Sequence, residues 1–324
     1  MQRLIKRANE LLASGEVARV LGWRVSDEKF NPEPAYFENE KEMENFVYNG
    51  FCGANLSKFM IEASKKEGKT LVFLKPCDTY SFNQLIKEHR VDREKAYIIG
   101  VGCRGKIDMN KIKAAGFKGI TDIEGADEFE STDLKIKTVY SDGEMKYSDA
   151  ILSRCHMCKG KEHKIFDEVI GDSADTKTEG RFDEVEKIEA MSPAERFAFF
   201  KSELSKCIRC NACRNVCPAC SCRKCVFDGT QFDSAQKANT DSFEEKMFHI
   251  IRAFHVAGRC TDCGECSRVC PQNIPLHLLN RKFIKDIDTF YGDFQAGTEV
   301  GVRGPLISYT KEDCEPSIVM ERGN

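Results

Sequence analysis

The spacing of apolar positions divides the chain into segments of different period. Leu4, Ile5, Ala8, Leu11 and Leu12 recur every three or four residues, which predicts one helix over residues 1–20 with charges on its outer side. Asn31–Tyr36 holds two prolines and reads as loop, and helices are expected over Lys41–Asn49 and Leu56–Lys66. Thr70–Leu74 and Ala96–Val101 are short unbroken apolar runs on either side of a helical stretch, Ser81–His89. Strand, helix and strand at this spacing predict a βαβ unit of a parallel sheet. Leu134–Tyr140 and Glu144–Tyr147 form a predicted hairpin about Ser141-Asp142-Gly143. Gly171–Ile188 is polar and aperiodic and reads as linker. Ser192-Pro193-Ala194-Glu195 has the cap, first-turn proline and returning glutamate of a helix start, and that helix runs into Cys207. Ser242-Phe243-Glu244-Glu245 is a second such start, for a helix with Phe243, Met247, Ile250, Ile251 and Phe254 on one face, expected to pack around whatever the nearby cysteines hold. Ile274–Ile287 reads as helix and 291–324 as a loop-rich tail.

The cysteines change the picture most. Two runs, Cys207-x2-Cys210-x2-Cys213-x3-Cys217-Pro218 and Cys260-x2-Cys263-x2-Cys266-x3-Cys270-Pro271, share one spacing. Three thiolates two residues apart grip one 4Fe–4S cubane, and in paired runs the cysteine before proline ligates the other cluster. Cluster A is therefore expected on Cys207, Cys210, Cys213 and Cys270, and cluster B on Cys260, Cys263, Cys266 and Cys217. Structural zinc uses a plainer pair of C-x2-C units without the prolines. Cys220, Cys222 and Cys225 follow directly; they stand as further metal ligands, as a lining of cluster A, or as reduced thiols. Cys52 and Cys314 are isolated and read as free thiols.

A second set lies upstream. Lys75-Pro76-Cys77-Asp78 follows the first predicted parallel strand and Gly102-Cys103-Arg104-Gly105 the second, so both reach the carboxyl edge where open α/β sheets bind ligands. With the Cys155-x2-Cys158 pair, four thiolates become available for a third 4Fe–4S cluster. The alternative is zinc on Cys155 and Cys158 with His156 or His163, leaving Cys77 and Cys103 as core cysteines. Gly100-x-Gly102-x-x-Gly105 also matches the dinucleotide fingerprint, with Asp122 and Glu124 downstream; Cys103 in its turn favours a cluster-ligand loop instead. Arg209, Arg214, Arg259 and Arg268 flank the cysteine runs, either as a solvated face or as compensation for anionic clusters. His255 and His277 read as structural.

The chain has 324 residues, a net charge of −3 and 17 cysteines. Its charge argues against nucleic-acid or anionic-membrane partners. Clustering of the cysteines at metal spacing points to a reducing cytoplasm rather than a disulfide scaffold. Neither a signal peptide nor an apolar run of about 18 residues is expected. The organisation expected is an α/β N-terminal domain with a parallel βαβ core over 1–170, a linker over 171–191, a mainly α-helical ferredoxin-like dicluster domain over 192–290, and the tail.

The Cys77 and Cys103 loops and the Cys155–Cys158 pair resemble the beta subunits of deazaflavin-reducing hydrogenases and formate dehydrogenases. The Cys207–Cys225 run, Gly258-Arg259-Cys260 and Cys270-Pro271-x-x-Ile274-Pro275 are similar to the dicluster extension of the formate dehydrogenase subunit. This resemblance covers most of residues 50–290. In the family the beta subunit holds FAD beside a 4Fe–4S cluster, and the resemblance implies Cys77, Cys103, Cys155 and Cys158 as that cluster's ligands. The family's two glycine-rich flavin segments have no counterpart here, so the flavin does not carry over. The implied function is one-electron relay within an anaerobic multi-subunit oxidoreductase, with no substrate site in this chain. It would link a flavoprotein or heterodisulfide-reductase-like module to a formate dehydrogenase or hydrogenase. The rival is a flavin-bearing subunit that itself reduces NAD or a deazaflavin.

Overall fold

The computed structural model describes residues 1–127, 131–173, 180–222, 225–228 and 243–307. Helix α1 (Gln2–Ala13) buries Leu4, Ala8 and Leu11, the stripe its periodicity marks. It ends sooner than expected, because Gly15 turns with φ 74° and releases a strand, β1 (Arg19–Arg24), whose first five residues are all buried. Strand β2 (Glu33–Phe37) occupies the stretch expected as loop. Its proline is accommodated because β2 is an edge strand: Pro34 faces Trp23 and has no second neighbour needing its missing N–H, while Pro32 lies just before the strand. Only α2 (Glu40–Met43) of the predicted second helix forms; residues 45–47 bond instead to β1, through Val47 N to Trp23 O at 2.9 Å and Val25 N to Asn45 O at 3.2 Å. The third is a 3₁₀ turn, Leu56–Phe59, leading into α3 (Met60–Ala63).

The predicted βαβ unit is present. β3 (Thr70–Leu74) and β4 (Ala96–Val101) are parallel neighbours joined by α4 (Pro76–Lys87). The helix starts five residues earlier than expected, with Pro76 in its first turn, so Cys77 is helical. After α5 (Met109–Ala114) come β5 (Ile120–Glu124), β6 (Asp133–Thr138) and β7 (Gly143–Lys146), an antiparallel sheet that contains the expected hairpin. Its own small core includes Ile112, Leu134, Ile136 and Ile151. Short helices α6 (Tyr147–Ala150) and α7 (Ser153–His156) lead to β8 (Glu168–Ile170), which completes a five-stranded sheet of order β2-β1-β3-β4-β8, parallel except for β1–β2.

Within the stretch expected as linker, α8 (Asp183–Glu189) forms and buries Val185 and Ile188. Seven residues with two inward positions are too short for periodicity to reveal. α9 (Pro193–Leu204) carries the full capping box, Ser192 Oγ accepting from Glu195 N and Glu195 accepting from Ser192 N. There follow α10 (Ala212–Asn215), α11 (Phe243–Val256), α12 (Glu265–Arg268) and α13 (Leu276–Tyr291). Ser242 and the Glu245 side chain, and with them the second capping box, lie outside the described residues, as do Cys314 and the tail beyond 307. The inward face of α11 is not the predicted one. Phe248, His249, Arg252, Ala253 and Val256 are buried, whereas Ile250 and Phe254 are exposed. Apolar spacing misled here because two polar side chains take the inner side: Arg252, whose Nη2 donates to Cys213 O at 2.9 Å, and His249, which lines the pocket of Cys207, Cys210, Cys213 and Cys270. No helix among the described residues is long and apolar enough to cross a membrane.

Polar groups buried on α4 are explained by its position between the sheet and the cysteine-run segment. Ser81 Oγ lies 2.8 Å from Thr261 Oγ1, and Asn83 Nδ2 donates to Gly297 O at 3.0 Å. At its end Glu88 accepts from Arg259 Nε at 2.8 Å and Nη2 at 2.7 Å.

Candidate iron–sulfur centres

The two cysteine runs fold alike. Arg209 and Asn211 in the first, and Asp262 and Gly264 in the second, all have φ between 54° and 66°. These are the same two positions counted from the first cysteine of each run. Left-handed backbone at non-glycine residues is uncommon, and alternation of this kind turns successive N–H groups inward to form a concavity that suits an anionic group. Each run then enters one helical turn, α10 or α12, and ends at Cys-Pro.

Cys207, Cys210, Cys213 and Cys270 line one pocket with Arg209, His249 and Ile274. Cys217 sits on the other side: its charge is felt by Cys260, Cys263 and Cys266, and it packs in one small cluster with Cys260. Cys270 thus lines the pocket of the first run's three cysteines, and Cys217 packs with Cys260 of the second. Upstream, Cys77, Cys103, Cys155 and Cys158 line a single pocket, which Cys263 and Asp262 also enter. The carboxyl edges of β3 and β4 supply Cys77 and Cys103, and the α7 loop supplies the pair. His163 is turned away, its Nε2 3.2 Å from Val101 O.

The residues fit iron–sulfur clusters. Four cysteines face a common space in each of two pockets, Cys77, Cys103, Cys155 and Cys158 in one and Cys207, Cys210, Cys213 and Cys270 in the other. Burial pushes the thiols of Cys77, Cys155, Cys260, Cys263 and Cys266 up, and that of Cys213 to about 11. Such thiols ionise on binding metal rather than beforehand. N–H donors already point at sulfur: Arg209 N to Cys207 Sγ at 3.4 Å, Lys106 N to Cys155 Sγ at 3.4 Å and Asn280 Nδ2 to Cys266 Sγ at 3.6 Å.

Cations surround the upstream pocket. Lys75, Lys106, Arg154, Lys159 and Lys161 all line it. Lys106 Nζ donates to Asn49 O at 2.8 Å and lies 4.0 Å from the Tyr48 ring centre. Burial opposes the Cys103 thiolate, but Lys106 and Lys161 outweigh it and bring that thiol below its ordinary value. Arg154 joins this pocket to the second run. Its guanidinium bonds Glu265 Oε1 at 2.6 Å, Gly53 O at 2.9 Å and the Cys263 carbonyl. Glu265 is fully buried; that burial raises it, but Arg268 and Arg154 prevail and hold its carboxyl at about 2. Asp262, its side chain 4% exposed, is matched by Arg281 at 3.0 Å and Arg181 at 3.1 Å.

Of the flanking arginines, Arg209 is buried, Arg259 pairs with Glu88 and Arg268 with Glu265, so none of these three belongs to a solvated face. Residues missed in the sequence are the interior ones, Lys75, Lys106, Arg154, Arg252 and His249. None carries a motif, and only Lys75 and Arg154 adjoin a motif cysteine closely enough to have been suspected. His277 is structural, bonded to Ser267 Oγ at 2.9 Å and Glu184 Oε2 at 3.2 Å. Cys220 is half-buried beside Cys217, Cys222 is exposed and Cys225 half-buried. The fingerprint glycines serve packing: a Cβ on Gly102 would stand 2.1 Å from Asp172 O, and one on Gly100 2.8 Å from the His163 ring.

A paired-run fold around cysteine-lined pockets defines an iron–sulfur protein of the electron-transfer class, and residues 203–274 match the 4Fe-4S dicluster domain family. The chain is also related to named proteins over most of its length. It is 22% identical to the F420-dependent formate dehydrogenase subunit beta of Methanocaldococcus jannaschii, over 86% of this chain and 87% of that one. The F420-dependent formate dehydrogenase 1 subunit beta of Methanococcus maripaludis is similar at the same identity, over 86% of this chain and 87% of that one. A putative ferredoxin-3 of Sinorhizobium fredii is 33% identical over 22% of this chain and 70% of its own. Among solved structures, the F420-reducing [NiFe] hydrogenase complex from Methanosarcina barkeri aligns with 48% of this chain and 62% of its own at 13% identity and a TM-score of 0.35, too slight a likeness to carry an argument.

Proposed function

We propose that this chain is a three-centre electron relay in a multi-subunit oxidoreductase. The observation that carries the reading is contiguity. Cys263 belongs both to the second-run set and to the wall of the upstream pocket, and Cys266 shares one buried cluster with Cys213, against which Cys207 and Cys270 pack. The ligand sets are Cys207, Cys210, Cys213 and Cys270 for cluster A, Cys260, Cys263, Cys266 and Cys217 for cluster B, and Cys77, Cys103, Cys155 and Cys158 for the third. Bound 4Fe–4S clusters supply one-electron chemistry, and the protein sets their spacing and potential. Here Arg154 and Glu265 tie the upstream pocket to the second run, and the buried lysines offset negative charge at the first stop. The domain division at 1–170 and 192–290 follows the same sets, with α8 between them in sequence and paired to α13 through Glu184–His277 and Glu189–Lys285.

The relatives' names point to a formate dehydrogenase complex, and the reading takes as partners a flavoprotein or heterodisulfide-reductase-like module on one side and a formate dehydrogenase or hydrogenase on the other; the clustered cysteines suit a reducing cytoplasm. A second reading, a flavin-bearing subunit, draws on one feature: a cleft of about 930 Å³ beside Arg154 and Arg268. A yellow chromophore released on denaturation would favour it.

The relay is tested on the full chain, reconstituted anaerobically with iron and sulfide. It should accept electrons from dithionite and pass them to a dye, without turnover on NADH, formate or hydrogen. Cys77→Ser or Cys103→Ser should lose about four irons, one cubane. Cys217→Ser should damage the second-run cluster more than the first; loss confined to the cluster of Cys207, Cys210 and Cys213 would sink the cross-ligation.

A further inference from the structure

The pocket of Cys207, Cys213 and Cys270 has one wall that no motif announces. Helix α11 presents His249 to it, with 2% of the residue exposed. Neither Nδ1 nor Nε2 has a hydrogen-bond partner among the described residues. A buried polar atom left unpaired costs about 1–3 kcal/mol, so an imidazole with two is retained only where something else meets it. Two cations are held nearby: Arg252, buried and donating Nη2 to Cys213 O at 2.9 Å, and Arg209, lying 4.1 Å over the Phe248 ring. Whatever its charge, an imidazole carries at least one N–H to give. The sulfurs of Cys207, Cys210, Cys213 and Cys270 line the same pocket and are acceptors within its wall, beside the amides of Asn211 and Gln272.

We propose that His249 donates an N–H···S hydrogen bond to the iron–sulfur centre held by Cys207, Cys210, Cys213 and Cys270, and thereby raises that centre's reduction potential. Hydrogen bonds to cluster sulfur favour the more negatively charged, reduced state. His249 is a positioning and tuning residue, not a ligand. The inference rests on the relay reading of this site, and the two fail differently.

The test is an EPR-monitored redox titration of the anaerobically reconstituted full chain. His249→Leu should lower the potential of this centre alone, shifting its reduced-to-oxidised ratio at the wild-type midpoint about tenfold, which is about 59 mV for one electron. His249→Gln, which keeps an N–H donor, should restore much of the shift. A structural role would instead cost iron and stability in both variants with no selective shift. Should His249→Leu fail to assemble, ¹⁵N-histidine labelling of the wild-type chain gives the same answer: a weak nitrogen coupling to this centre is expected. Absent coupling, strong coupling of direct ligation, or an unchanged potential at full iron content would each overturn the assignment. Unchanged iron in Cys207→Ser would overturn the relay reading itself.

Discussion

Replacing Lys75 by methionine isolates what the buried cation at the start of α4 contributes. Lys75 Nζ lies 2.7 Å from Asp78 Oδ2, with both side chains 1% exposed. It also donates to Ala54 O at 2.6 Å and sits 4.6 Å from the Trp23 ring centre. At an effective dielectric constant of about 20 the charge contact is worth about 6 kcal/mol before desolvation is subtracted. Methionine keeps the stem but leaves the Asp78 carboxylate and the Ala54 carbonyl buried and unmatched. Removing one partner of such a pair costs about 3–5 kcal/mol. Removing both charges, in Lys75→Met with Asp78→Leu, should recover most of that loss, since an apolar replacement of a buried pair is often near neutral. The assay is built in. Trp23 is the only tryptophan and is fully buried beside Lys75, so its fluorescence during anaerobic urea denaturation reports this core directly. A single variant within about 1 kcal/mol of wild type, or a double variant as unstable as the single, would refute the reasoning.

Gly102→Ala should force Asp172 away from the end of β4 and displace Cys103, so iron bound by the upstream pocket should fall while the paired-run clusters persist in EPR; unchanged iron would show that the loop gives way harmlessly. Burial raises the Glu88 carboxyl, but Arg259, Gln84 and Ser221 together hold it below its ordinary value. Its stabilising effect is therefore present above that ordinary value and lost as pH falls through the lowered one. The stability gap between wild type and Glu88→Gln, followed by Trp23 fluorescence, should be open at pH 7 and close on acidification; a gap constant down to pH 3 would exclude the ion pair as its source.

Some of this molecule is written in short-range pattern. The paired C-x2-C-x2-C-x3-C-P runs are local, because a cubane's corners are reached by residues two apart on one turn of chain. The β3-α4-β4 unit is equally local, a five-residue apolar run, a helix and a second run, and both strand boundaries agree with the structure. From that unit alone Cys77 and Cys103 are placed at one sheet edge. Tertiary structure decided the rest. β1 hides behind a helical period, and β2 is admissible with its proline only because it lies at an edge. The inner face of α11 is set by what it must face, so Arg252 and His249 turn inward while Phe254 is left outside. The cations around the upstream pocket come from segments as far apart as Lys75 and Arg154, and Arg154 finds Glu265 across 111 positions. Ligand spacing is a covalent property and survives in the sequence. Charge compensation is a property of distance in space, at low dielectric, and exists only once the chain has folded.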